Sequence, residues 1–233
     1  MAKRLFIAAL VFVLSGVCWG QERGGGDADV AVPLIMNVLR KAKVSGSLEY
    51  WGNCSNMRQF PDFPKLKAPR NDVGAPVETL REMFADDPKM QVTQEPGGMI
   101  RMVETDVPQD LLDLTIKHIS FGVEYEKTNP HTFDNPGSTL WFILAAPEVK
   151  AFMKAADIGL PYDSLGLSME FSPRSQRISG DLHEVNLSQA LDYMLKTFPG
   201  LWTYENCPSQ KRKRVVFFAV YSSGDPAAKT RQH

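Results

Sequence analysis

The chain has 233 residues, 43% hydrophobic, 23% charged and 10% aromatic, with a formal net charge of -1. That composition excludes a disordered chain, a collagen-like chain and a disulfide-dense miniprotein. A charge so close to zero supplies no global attraction to nucleic acid or to anionic membranes.

The first twenty residues stand apart. Lys3 and Arg4 give a positive start, an apolar run covers 5–17, and Cys18-Trp19-Gly20 leads into the polar Gln21-Glu22-Arg23. This is the pattern of a secretory signal peptide over 1–20. The run is shorter than the ~20 residues needed to span a bilayer, and no later stretch is long and apolar enough to do so. The expectation is cleavage after Gly20 and a periplasmic or secreted protein. A retained anchor and lipoprotein processing at Cys18 are the alternatives; Val17 fits the latter poorly, because a small residue usually precedes such a cysteine. Cleavage leaves Cys54 and Cys207. Two cysteines in an exported chain most often form a disulfide, with two free thiols as the alternative.

Residues 21–31 are Gly-rich and polar and read as a flexible leader. Leu34, Val38 and Ala42, with Pro33 near the start, predict a helix over 32–42, and a strand is expected over 44–51. The stretch 52–71 carries Pro61, Pro64 and Pro69 and reads as an irregular loop or insertion. Pro76, Pro108 and Pro147 each suit a first helical position, where a missing N–H has no helical partner to lose. A helix is expected after each one. Period-two alternation at Ile119, Phe121, Val123 and Tyr125, and again at Leu165, Leu167, Met169 and Phe171, predicts two strands. The clearest helix follows: Leu187, Ala190, Leu191, Met194, Leu195 and Phe198 form one apolar stripe. Asn186 and Gln189 are spaced as a capping box, and Pro199-Gly200 ends the helix. Two hairpins are expected, one of 90–93 and 99–104 around Pro96-Gly97-Gly98, the other of 201–204 and 215–221. Tyr50, Trp51, Trp141, Phe142, Trp202 and Tyr204 all fall on expected strands. The tail from 222 to 233 reads as flexible.

The helix-hairpin elements echo each other at one constant offset. Leu80 aligns with Leu191, Met83 with Met194, Phe84 with Leu195, Pro88 with Pro199 and Met90 with Leu201. The fold class expected is α+β, with duplicated β-α-β-β units over 32–126 and 165–221. A connecting loop and helix at 127–164 would join them, and the helices would pack on small, mostly antiparallel sheets. Two unrelated helix-hairpin elements in one domain are the alternative.

The segment Gly180-Asp181-Leu182-His183-Glu184-Val185-Asn186-Leu187-Ser188-Gln189-Ala190-Leu191-Asp192-Tyr193-Met194-Leu195, followed by Gly200-Leu201-Trp202-Thr203-Tyr204 and Val215-Val216-Phe217-Phe218, resembles the short N-terminal domain of secretins and TonB-dependent receptors. Leu187, Ala190, Leu191, Leu195, Gly200, Leu201 and Tyr204 sit at that module's packing positions. The likeness covers about 45 residues, and no barrel or pore domain follows it in this sequence. The resemblance implies a strand, a helix and two strands, together with an envelope binding or docking role.

Patterns for catalysis are sparse. His118, His131, His183 and His233 are not spaced as metal ligands. There is no phosphate-cradling loop or dinucleotide fingerprint, and Gly166-Leu167-Ser168-Met169-Glu170 lacks the second glycine of a nucleophile elbow. No cofactor is expected. The strongest charge feature is Lys211-Arg212-Lys213-Arg214, read as a hairpin tip able to meet lipid headgroups, a cell-wall polymer or an acidic partner. A solvated turn that keeps an edge hairpin soluble is the alternative; nucleic acid is not expected. The reading that follows is an exported, envelope-associated, non-catalytic module that takes a protein partner by strand addition. The alternative is a secreted hydrolase with a site built from loops 53–71 and 128–138, His131 included.

Overall fold

The apolar spacing along the chain resolves into thirteen elements in a computed structural model that describes residues 28–52, 66–67, 75–130, 132–158, 176–208 and 211–219. In order they are α1 (Ala28–Ala42), β1 (Gly46–Trp51), α2 (Pro76–Met83), β2 (Met90–Gln94), β3 (Ile100–Glu104), β4 (Thr115–Phe121), α3 (Val123–Glu126), α4 (Pro136–Leu144), α5 (Pro147–Ala155), β5 (Gly180–Asn186), α6 (Leu187–Thr197), β6 (Gly200–Cys207) and β7 (Arg212–Ala219). The fold is α+β, as the sequence predicts.

Five strands form one mixed sheet in the order β2-β3-β1-β6-β7, while β4 and β5 form a separate two-stranded sheet. β1 lies parallel to both of its neighbours, β3 and β6. The pairs β2–β3 and β6–β7 are the two expected antiparallel hairpins. They are not attached alike. The first hairpin reaches β1 through its second strand, the second through its first. β5, which precedes α6 as expected, leaves the large sheet and pairs with β4.

Alternation along the strands sends side chains to two separate cores. On one face Leu48, Tyr50, Ile100, Met102 and Phe218 pack with Ile35 and Leu39 of α1 and with Leu80 and Met83 of α2. On the other, Trp202, Tyr204, Val215 and Phe217 pack with Leu187, Leu191 and Met194 of α6 and with Ile143 of α4. A strand covered on both sides reads as a continuous apolar run, which is why Val215, Val216, Phe217 and Phe218 are all buried. The α6 stripe buries Leu187, Ala190, Leu191 and Met194 completely, and each Leu or Met contributes about 1.5–3 kcal/mol.

The ends of α6 are set by local chemistry. Asn186 Oδ1 accepts the Gln189 N–H at 2.8 Å, and Gln189 Oε1 accepts the Asn186 N–H at 2.9 Å. That reciprocal pair satisfies two amides that the helix itself cannot. Gly200 is required by a close approach: a Cβ there would lie 2.4 Å from the Phe218 carbonyl oxygen.

Three expectations need correction. Pro108 opens no helix; the chain makes one turn over 110–113 and then enters β4. The β-branched Thr115, Ile116 and Ile119 find cross-strand partners in β5, and the carbonyls of Leu112 and Leu114 accept the N–H groups of Ser188 and Leu187. Trp141 and Phe142 lie on α4 rather than on a strand. Asn135 caps that helix by accepting the Ser138 N–H at 3.1 Å, and Pro136 occupies its first turn. The alternation beyond Phe121 becomes α3, which lays the Tyr125 ring 4.5 Å from Phe142 and 5.7 Å from Phe133. The strand expected at 165–171 lies outside the described residues, as do most of the loop 52–71 and both termini.

Replacing the cap, Asn186→Ala, is expected to cost about 1 kcal/mol. Urea unfolding checks this: the midpoint falls while the slope with denaturant stays unchanged.

Candidate functional site

Two short strands carry a charge on the face of the sheet that the fold covers. Glu49 sits between Leu48 and Tyr50 on β1, and Arg101 between Ile100 and Met102 on β3. Their alternation turns both toward the face that α6 covers. Arg101 Nη1 donates to Glu49 Oε1 and to Ser47 Oγ, each at 3.4 Å, and Nε donates to Glu95 Oε1 at 3.1 Å. Arg101 Nη2 is paired with the Asp192 carboxylate of α6. The other Asp192 oxygen accepts Trp202 Nε1–H at 2.9 Å, and the other Glu49 oxygen accepts Gln109 Nε2–H at 2.9 Å. One guanidinium thus ties β1, β3 and α6 together. Burial pushes the Glu49 carboxyl above its ordinary range, with the Gln109 hydrogen bond and the Arg101 charge pulling back. Asp192 is raised for the same reason, against the pull of Arg101.

The basic run divides in a way the sequence did not suggest. Lys213 and Arg214 are buried within β7, at 5% and 2% exposure. Lys213 Nζ donates to Asp110 Oδ1 at 2.7 Å, Tyr204 Oη at 3.0 Å and Asn206 Oδ1 at 3.2 Å, which engages all three of its protons. Tyr204 Oη donates in turn to the Pro108 carbonyl at 3.1 Å; burial and the nearby Asp110 and Glu49 carboxylates raise its phenol well above the usual value. Arg214 Nε lies 3.1 Å from Glu205 Oε2, with both side chains buried. Only Lys211 is exposed, 3.5 Å from Asp157, and Arg212 is half-buried. The run is therefore not a tip of four solvated cations: strand alternation carries Lys213 and Arg214 inward to opposite faces, each onto an acidic partner.

The two outer strands of the large sheet differ. β7 is buried from Lys213 to Phe218. On β2, Gln91, Thr93 and Gln94 are exposed, Met90 is half-buried and Val92 is buried. The phase of the β2–β3 ladder follows from its ends, where the Glu95 N–H donates to the Met99 carbonyl and the Thr105 N–H to the Lys89 carbonyl. Gln91 and Thr93 thus exchange backbone hydrogen bonds with β3, while Met90, Val92 and Gln94 direct their backbone groups outward. One outward group has a side-chain cover: the Val92 carbonyl accepts from Arg81 Nε at 3.1 Å and from Nη2 at 2.9 Å.

His118 and His183, far apart in sequence, face each other across β4 and β5. Their rings stack at 4.5 Å with 9° between planes, and His118 Nε2 lies 3.4 Å from Asp181 Oδ1. A hydrogen bond from Ser120, and then the two histidines, hold the Asp181 carboxyl below its ordinary range. Among the described residues no group of three or more His, Cys, Asp or Glu is placed to hold a metal. In the loop 128–138, Thr132 and Phe133 are buried and Asn135 caps α4. His131, Cys54 and the hydrolase reading's segments 53–65 and 68–71 lie outside the described residues. Cys207 is buried at the end of β6.

No family model, curated protein or solved structure matches this chain.

Glu49 and Asp192 bind protons more tightly in the folded chain than in the unfolded one. Their contribution to stability is full below the unfolded values near 4.5 and 3.8, and it is lost as pH rises through the raised folded values. The variant Glu49→Gln removes one of these titrations. Urea midpoints at a series of pH values check this: the variant is expected to gain on the wild-type chain as pH rises from 4.5 to 7.

Proposed function

We propose that this chain is an exported, envelope-associated docking module, non-catalytic in type, that takes a protein partner as a strand added to the β2 edge. The observation that carries this reading is the outward phase of the Met90, Val92 and Gln94 backbone groups on an outer strand of the sheet. Strand addition draws its affinity from such backbone groups, and its selectivity from alternate side chains. The signal-like start at 1–20 and the resemblance of 180–218 to the secretin and TonB-dependent short domain support an envelope setting. Among the described residues no helix is long and apolar enough to cross a membrane. An anionic polymer has less to grip than the sequence alone suggests, since Lys213 and Arg214 are buried.

A Cys54–Cys207 disulfide belongs to the same reading. The Gly52 N–H donates to the Asn206 carbonyl at 2.8 Å, and Cys207 follows Asn206. Cys54 lies two residues beyond Gly52, so the chain can carry it no farther than about 7 Å from that anchor. Disulfides need Cα separations of roughly 4.4–6.8 Å. Peptide mapping of the exported chain without reductant is expected to recover a fragment linking the two cysteines; two free thiols contradict the bridge.

The docking role is tested with a photo-cross-linker at Thr93 in cells exporting the full chain, with Lys150 on α5 as control. Thr93 is expected to yield an adduct with another polypeptide and Lys150 none. The variant Gln94→Pro removes an outward N–H without removing a β2–β3 hydrogen bond, and it is expected to cut the adduct about tenfold. An adduct indifferent to Gln94→Pro contradicts strand addition at β2.

A further inference from the structure

The β2 edge carries more information than its exposure. Its five residues, Met90-Gln91-Val92-Thr93-Gln94, hold no charge, and Lys89 and Glu95 flank them with opposite signs. An edge strand is usually defended by a charge, a proline or a bulge within it. Here the defence comes from outside the strand, from Arg81 of α2 on the Val92 carbonyl.

We propose that two copies of this chain pair antiparallel along β2, in a two-fold register centred on Val92, and that Arg81 is the latch each copy must release. This rests on the reading that the β2 edge accepts a strand, and it names the occupant. A two-fold pairing must be self-complementary, and the sequence meets that requirement in one register. With Val92 opposite the second copy's Val92, Met90 faces Gln94, Gln91 faces Thr93, and Lys89 faces Glu95, each twice. Outward backbone groups then meet outward backbone groups. The Val92 N–H donates to the second copy's Val92 carbonyl and the Gln94 N–H to its Met90 carbonyl, both reciprocally. The Met90 N–H keeps its own bond to the Asp87 carbonyl, at 3.1 Å. Moving the centre one residue toward the amino terminus sets Glu95 opposite Asp87, two like charges; moving it one residue the other way sets Lys89 against Gly97.

The Arg81 guanidinium competes for the acceptor at the centre of this register. Once displaced it has Glu78 on its own helix, 3.6 Å away. Release therefore opens the Val92 carbonyl without stranding the charge. One added strand is a small interface, so the pairing is concentration-dependent. Joining the edges makes a continuous ten-stranded sheet from two five-stranded ones.

Sedimentation velocity on the mature chain, at a range of concentrations, tests this. Both substitution sites are exposed and outside the cores, so the variants are expected to fold. The wild-type chain is expected to form a reversible dimer. Arg81→Ala is expected to tighten it, and Lys89→Glu to loosen it about tenfold by setting like charges opposite each other. Added salt is expected to loosen the wild-type dimer more than the Lys89→Glu one. An Arg81→Ala chain that stays monomeric at millimolar concentration overturns the proposal, as does a dimer indifferent to Lys89→Glu. A chain that is monomeric yet still gives a Thr93 cross-link to a different polypeptide overturns self-pairing while leaving the docking role standing.

Discussion

Everything in the large sheet hangs on β1. It is the one strand that touches both hairpins, and it holds them by parallel ladders on either side. Parallel neighbours are contributed from far along the chain and bring no turn to fix their register. The register must come from side chains on the two faces, and those faces are occupied differently. α1 and α2 fill one with apolar groups. α6 and its neighbours fill the other with a mixed layer, in which Arg101 and Lys213 are surrounded by acceptors. Among the described strands β2 and β7 are the outer ones; β7 is buried from Lys213 to Phe218, while β2 is exposed at Gln91, Thr93 and Gln94.

The charged layer explains position better than it explains stability. Removing charges from water costs several kcal/mol per ion, and pairing returns about that much only with good geometry. Arg101 meets that condition with acceptors from β1, the turn after β2, and α6. An apolar residue of similar volume would bury as well, but without the directional bonds that join α6 to β3. The Asp192 carboxylate, shared between Arg101 and Trp202, fixes the helix both along and across the strands. Lys213 ties the end of the second hairpin to Asp110 in the same way.

Short-range chemistry was legible and long-range chemistry was not. The stripe from Leu187 to Leu195, the capping box at Asn186, the prolines opening α2 and α5, and the glycine turn between β2 and β3 all act within a few residues, and each one predicts its element. Pro108 shows the limit: it suits a helix start, but the Thr115–Phe121 segment after it has a strand partner some 65 residues away. Trp141 was misplaced because bulky aromatics suit strands in general, whereas the Asn135 cap acts at this one position. The fate of Lys213 and Arg214 depended on Asp110 and Glu205, which no local pattern links to them. The stacking of His118 on His183 was hidden for the same reason. The Arg101 site did leave a trace, a lone charge between two apolar residues on each of two short strands. A search for opposite charges flanked by apolar neighbours on short strands finds Glu49 and Arg101 together.

Strand addition at β2 requires that edge to be open within a single chain. Residue-resolved hydrogen exchange at submicromolar concentration measures this directly. Amides of β1 and β6, each flanked by strands on both sides, are predicted to exchange slowest, and those of Val92 and Gln94 to exchange orders of magnitude faster. Protection at Val92 and Gln94 equal to that of β1 contradicts the account, because it means that the edge is already covered within a single chain.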